Sequence, residues 1–323
     1  MAIRFPARFT ALLAALVLSA SATAQTFPAK PVKIIVGYPP GGSGDFLTRL
    51  LADEMSKNLG VAVVTENRPG AGASIASDAV AKSPADGYTL LNSTNHAINK
   101  ALYKKLPYDP DKDFAAVSRA ATGPLVICVG NDVPIKTLKE LIAYAKANPG
   151  KLFAAASGNG SSPHLASVQF EAAAGVKFTT VQFKGGGPAA QSILSGDTNV
   201  MFATPPTVMG FIRGGRMRAL SITSKNASPS VPGLPGALEA GLPGYDSTFS
   251  FGLYVPAGTP AAVIKRLHEA AAKGLARAEV RDKIAFQGLD ATPSVSPEAF
   301  EAELKAEAPM WEKLVRDSGA RVE

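Results

Sequence analysis

Val32-Lys-Ile-Ile-Val36, continuing as Gly37-Tyr-Pro-Pro-Gly-Gly-Ser-Gly44, decides the fold class. Five residues rich in β-branched side chains predict a strand, and the glycines and prolines behind them end it in a turn. From about Asp45 to Leu59 the chain places Leu47, Leu50, Leu51 and Met55 on one helical face, and Gly60 ends that helix with a residue free to turn left-handed. Strand, glycine-rich turn and helix is the repeating unit of an α/β layer.

The same unit recurs on either side. Val61-Ala-Val-Val-Thr65 leads through Glu66-Asn-Arg-Pro-Gly-Ala-Gly72 into a small-residue helix over Ser74–Ala81, and Tyr88-Thr-Leu-Leu91 leads into Asn92-Ser-Thr-Asn95. Short β-branched runs alternating with amphipathic segments predict α/β layers with largely parallel sheets. Ligands of such sheets bind beyond the carboxyl ends of the strands, which draws attention to these loops. A second lobe is expected to start near Pro124, with a strand over Leu125–Val129, a helix over Leu138–Ala147, and binding-type loops at Ala156–His164 and Phe183–Ala189. The chain then returns through Gly252-Leu-Tyr-Val255 to helices over Ala261–Ala276 and Pro297–Asp317.

Upstream, Arg4 and Arg8 precede an apolar run from Ala11 to Leu18 and the small residues Ala22-Thr-Ala24. That pattern predicts an export signal over residues 1–24, cleaved after Ala24, and the apolar run is too short to span a bilayer. The chain has 323 residues, more than one hydrophobic core usually serves, so two lobes are expected. Its formal charge of +7 falls to +5 without Arg4 and Arg8. The densest basic group, Arg213-Gly-Gly-Arg216-Met-Arg218, lacks the interleaved aromatics of a nucleic-acid surface. Cys128 is the single cysteine; it sits in an apolar run and reads as core.

The candidate chemistry is that of binding. Gly41-Gly-Ser-Gly44 opens a helix but lacks the lysine and hydroxyl residue of a phosphate loop. Its glycines let backbone N–H groups approach a ligand, and a helix N-terminus favours an anion. Asp45 either supports that first turn or contacts a ligand. Ser43, Ser161 and Ser162 lie in glycine-rich loops near His164, yet no serine sits in G-x-S-x-G. His96, His164 and His268 share no metal-ligand spacing. Lys184 in Lys184-Gly-Gly-Gly-Pro188 reads either as a ligand contact or as a solvated turn residue. No catalytic constellation, cofactor or metal is therefore expected.

Taken together, several stretches resemble one family, the extracytoplasmic Bug receptors of tripartite tricarboxylate transporters. They include Lys30–Val36, Pro40-Gly-Gly42 with Asp45, Glu66–Gly72, Pro84-Ala-Asp-Gly-Tyr-Thr-Leu90, Lys184–Ala189, Gly214–Leu220 and Pro256-Ala-Gly-Thr-Pro260. The resemblance implies a type II periplasmic-binding-protein fold: two α/β lobes with a ligand cleft between them, lobe one over 25–123 and 248–323 and lobe two over 124–247. It implies a periplasmic monomer that captures a small organic carboxylate and delivers it to the membrane transporter subunits. Carried over, the ligand contacts would be Tyr38, Gly41, Gly42, Asp45, Gly70 and Ala71 from the first lobe, and Ser157, Asn159, His164 and Lys184 from the second. Two departures stand out: Thr248-Phe-Ser-Phe251 lies where the family commonly has a tryptophan, and Ser230–Gly236 replaces its usual acidic stretch. An extracytoplasmic enzyme or a signalling sensor on the same fold is the alternative.

Overall fold

The computed structural model describes residues 27–94 and 97–318. The export segment expected over 1–24 and His96 lie outside the described residues. The first run of the chain comprises β1 (Val32–Val36), α1 (Ser43–Leu59), β2 (Val63–Asn67), a short 3-10 turn at Ala71–Ala73, α2 (Ser74–Ala81), β3 (Thr89–Thr94), α3 (Ala97–Leu102) and β4 (Phe114–Pro124). A second run follows with β5 (Val126–Gly130), α4 (Leu138–Ala147), β6 (Phe153–Ala156), α5 (Ser162–Ala174), β7 (Thr179–Gln182), α6 (Gly186–Ser195), β8 (Val200–Ala203), α7 (Pro205–Arg213) and β9 (Met217–Ile222). The chain returns through β10 (Thr248–Pro256), α8 (Ala261–Leu275), α9 (Ala278–Phe286), β11 (Asp290–Ala291) and α10 (Pro297–Ser318).

Two sheets result, ordered β11-β4-β10-β3-β1-β2 and β7-β6-β8-β5-β9. β1 pairs in parallel with β2 and β3, and β6 with β7 and β8, but β10, β4 and β11 in one sheet and β5 and β9 in the other run antiparallel to their neighbours. The sheets are thus mixed, not largely parallel. The reason is the chain path: β4 leaves the first sheet and β10 re-enters it alongside, in opposite directions, with Thr248 opposite Pro124.

Local chemistry explains the first unit well. Leu47, Leu51, Met55 and Leu59, four residues apart, are all buried, and each fully buried side chain contributes about 1.5–3 kcal/mol. Gly60, at φ 75°, ends α1 by donating its N–H to the Ser56 carbonyl. At the crossing, the buried Thr223 hydroxyl accepts from Leu125 N–H at 2.8 Å and donates to the Ser247 carbonyl at 2.5 Å, tying the outgoing and returning segments together. Trp311 and Val315 of α10 pack with Ile98 and Leu102 of α3 and Leu165 of α5, so one helix touches helices of both runs. No helix among the described residues is long and apolar enough to cross a membrane.

Candidate functional site

A cleft of about 510 Å³ of empty space, mouth included, lies between the two sheets. Four helices direct their first turns at it: α1 through Gly42, Ser43 and Gly44, α5 through Ser161, Ser162 and Pro163, α6 through Gly186 and Gly187, and α7 through Thr204 and Thr207. The first N–H groups of a helix have no intrahelical partner and carry the positive end of its dipole. Proline at 163, 188, 205 and 206 removes several of these donors, which leaves the N–H groups of Ser43, Gly44, Ser162, Gly186 and Gly187. Pro39, Met201, Phe251 and the ring of Tyr38 form the rest of the wall with Thr94 and Ser157. Among the described residues, no charged side chain lines it.

Several hydroxyls of the wall pair with one another. Tyr38 Oη lies 3.2 Å from Thr94 Oγ1, and Ser157 Oγ donates to Ser161 Oγ at 3.1 Å. Ser43 Oγ donates across the cleft to Thr204 Oγ1 at 2.9 Å, and Thr204 in turn lies 2.9 Å from Thr207 Oγ1. Burial pushes the Tyr38 phenol up despite the Thr94 hydrogen bond, so it stays protonated.

The residues expected from the sequence fall into three groups. Tyr38, Gly42 and Ser157 line the cleft. Gly41, Asp45 and His164 form the layer behind it. Burial works to raise the Asp45 carboxyl, but hydrogen bonds from Arg49, the Gly41 N–H and Asn67, with the Arg49 charge, outweigh burial and hold it below its ordinary value. Its oxygens take Gly41 N–H at 3.1 Å, Asn67 Nδ2 at 2.9 Å and Arg49 at 2.8 Å, while Asn67 also donates to the Tyr38 carbonyl. Asp45 therefore fastens the loop that presents Gly42. His164 is not in a loop: Ser161 caps α5 by accepting from His164 N–H, as a serine before a helix-opening proline does, which draws His164 into the first turn. Its buried ring accepts from Gly160 N–H at 3.2 Å through Nδ1, and burial lowers its pKa to about 4, so it is neutral.

The third group lies at the rim. Ala71 and Ala73 both have positive φ, 47° and 71°, an uncommon conformation for non-glycine residues that favours a functional reading. Between them Gly72 sits so close to the second run that a Cβ would come within 2.5 Å of the Asn159 carbonyl oxygen. Gly72 thus meets Asn159 where the two halves touch, with Gly70 and Ala71 immediately before it in the chain, while Lys184 is exposed at the start of the Gly185–Gly187 turn. Arg213, at the far end of α7, donates to the Phe286 carbonyl at 2.9 Å and stacks 4.5 Å over the Phe286 ring, a second contact between the second run and the returning chain.

The sequence places Thr94 in a strand-end loop and Phe251 in a stretch that departs from the family without marking either as a contact, and it does not single out Met201, Thr204 or Thr207. Thr204-Pro205-Pro206 carries a helix-start signal that locates Thr204, but Met201 and Phe251 sit on strands that nothing local distinguishes.

Two sheets joined by crossing strands around such a cleft define a two-lobed binding protein. The family described as "Tripartite tricarboxylate transporter family receptor" matches residues 47–311, and the chain belongs to that family. BugT of Bordetella pertussis is 35% identical over 309 residues, 94% of each chain. Among solved structures, an R. palustris protein with adipate is similar at TM-score 0.87 and 32% identity, covering 91% of this chain and 98% of that one. The periplasmic binding protein BugD is similar at TM-score 0.86 and 30% identity, over 92% and 100%. MatC from Rhodopseudomonas palustris with bound malate is similar at TM-score 0.84 and 31% identity, over 90% and 100%.

Proposed function

We propose that this receptor holds a small organic carboxylate in the cleft between its sheets and delivers it to the membrane subunits of a tripartite tricarboxylate transporter. The observation that carries this reading is the convergence of four helix N-termini on a wall without charged side chains. Such a wall favours an anion through main-chain N–H groups and aligned dipoles, each worth about 0.3–1 kcal/mol, and up to about 2 kcal/mol when partly buried. The adipate and malate bound by similar proteins support a carboxylate as the ligand. Tyr38, Gly42 and Ser157 are the proposed contacts, with Gly41, Asp45 and His164 positioning them and Gly70, Ala71, Asn159 and Lys184 at the rim.

In this reading the protein is a periplasmic monomer released by cleavage of its signal, and it performs no chemistry of its own. Lobe one spans 25–123 and 248–323, lobe two spans 124–247, and they close about the crossings near Gly123 and Ser247. Calorimetric titration with adipate, malate, citrate and their uncharged amides tests it. Saturable binding of at least one acid and none of its amide is the expected outcome; amides that bind as well as acids would sink the anion cradle.

A further inference from the structure

We infer that a second ligand site lies beside the crossing strands and takes a small organic ammonium ion that carries an apolar body and an oxygen. It does not rest on the carboxylate reading, because the cavity that forms it shares no residue with the cleft.

This cavity holds about 1050 Å³ of empty space, mouth included. β4 supplies Arg119 and Thr122, the returning segment supplies residues 246–250, and α5 supplies Gln169. α10 lines the rest with one helical face, at positions 300, 303, 304, 307, 310 and 311. The charge of the wall is acidic. Asp246, Glu303 and Glu307 stand against a single base, Arg119, among the described residues. That base is already engaged: its guanidinium pairs with Glu303 at 2.5 Å, and its Nε donates to the Thr292 carbonyl at 2.8 Å. The carboxylates of Asp246 and Glu307 are left without a matching base in the wall, so the cavity attracts a cation and repels an anion.

The polar atoms of the lining residues define what else the ion carries. Trp311 is only 7% exposed, and its indole Nε1 is a buried donor without an acceptor. Gln169 Oε1 is a buried acceptor without a donor, while Nε2 of the same amide donates to the Asp246 carbonyl at 3.2 Å. A buried polar group left unpaired costs free energy that a bound partner recovers. An ammonium N–H suits the glutamine oxygen, and a hydroxyl oxygen suits the indole N–H. Phe249 and Phe300, with the indole, offer rings for an apolar body and for the charge. A bare metal ion would match the acids alone and leave the indole N–H without an acceptor.

Calorimetry with two amines and their neutral counterparts tests the site: tyramine against tyrosol, and 2-amino-1-phenylethanol against 1-phenyl-1,2-ethanediol. At least one amine should bind saturably and at least about tenfold more tightly than its neutral counterpart. Glu307→Gln should weaken that amine at least about fivefold, and Asp246→Asn, at an exposed carboxylate, is the second variant should the first fail to fold. Gly42→Val, in the cleft, should leave amine binding within about twofold. Amines that bind no better than the neutral compounds, an affinity indifferent to both carboxylates, or a loss in Gly42→Val as large as in Glu307→Gln each overturns the inference and leaves the carboxylate receptor standing.

Discussion

Replacing Gly42 by valine puts the main-chain cradle to its most direct test. Gly42 caps α1 at φ −86° and ψ 171°, a conformation any residue adopts, and a Cβ there would meet only the Pro39 carbonyl at 3.7 Å. The variant should therefore fold. Its branched side chain would occupy the mouth of the first turn, between the ligand and the N–H groups of Ser43 and Gly44. Loss of one charge-assisted hydrogen bond of about 1.5–3 kcal/mol corresponds to a fall in affinity of about tenfold to more than a hundredfold. Gly187→Val is a parallel variant on α6, where a Cβ would meet nothing within 4 Å. Arg68→Ala is the contrast: its guanidinium pairs with Glu66 at 2.5 Å outside the cleft, so the change should cost less than about threefold. Affinities come from calorimetry against the tightest acid found, with circular dichroism to confirm folding. If Arg68→Ala abolishes binding while Gly42→Val leaves it intact, the cradle is wrong and a guanidinium clamp should replace it.

Arg213→Ala removes the hydrogen bond and ring contact that join α7 to Phe286 of the returning chain, so ligand should dissociate several-fold faster in stopped flow with little change in association; an unchanged off-rate would make that contact incidental to closure. His164 has a folded pKa of about 4 against an ordinary 6.5, so the unfolded chain binds more protons between these values. Stability should be full above about pH 6.5 and decline as pH falls toward about 4, by roughly 3 kcal/mol, with a flatter denaturation profile for His164→Gln. N-terminal sequencing of exported material should begin at Gln25, and a retained Met1 in a cytoplasmic pool would contradict the export signal.

What was legible in the sequence was what local chemistry fixes. The α2 and α4 helices fall at Ser74–Ala81 and Leu138–Ala147 as expected, because their periodicity and flanking residues are self-contained. The start of α1 was placed at Asp45, two residues late, since Ser43 and Gly44 read as turn residues and only the tertiary setting winds them into helix. β4 was missed altogether. Phe114–Pro124 is rich in alanine and other small residues, and it becomes an eleven-residue strand because β10 pairs along its length. The loops around Ser157 and Lys184 were recognised as binding loops, but not that each ends in a helix aimed at the same point. That convergence brings Ser43 to Thr204 across 161 positions of sequence, a fact of topology that no local window contains.

Trp311 is the only tryptophan in the chain, and it is wedged between helices that belong to different sheets. The near-ultraviolet emission excited at its absorption edge therefore comes from a single indole packed against helices of both sheets, and Trp311 does not line the cleft. Any movement of one sheet against the other on solute capture should therefore change the intrinsic fluorescence of the unlabelled protein, and an emission unchanged at saturation would show that the indole's surroundings stay fixed.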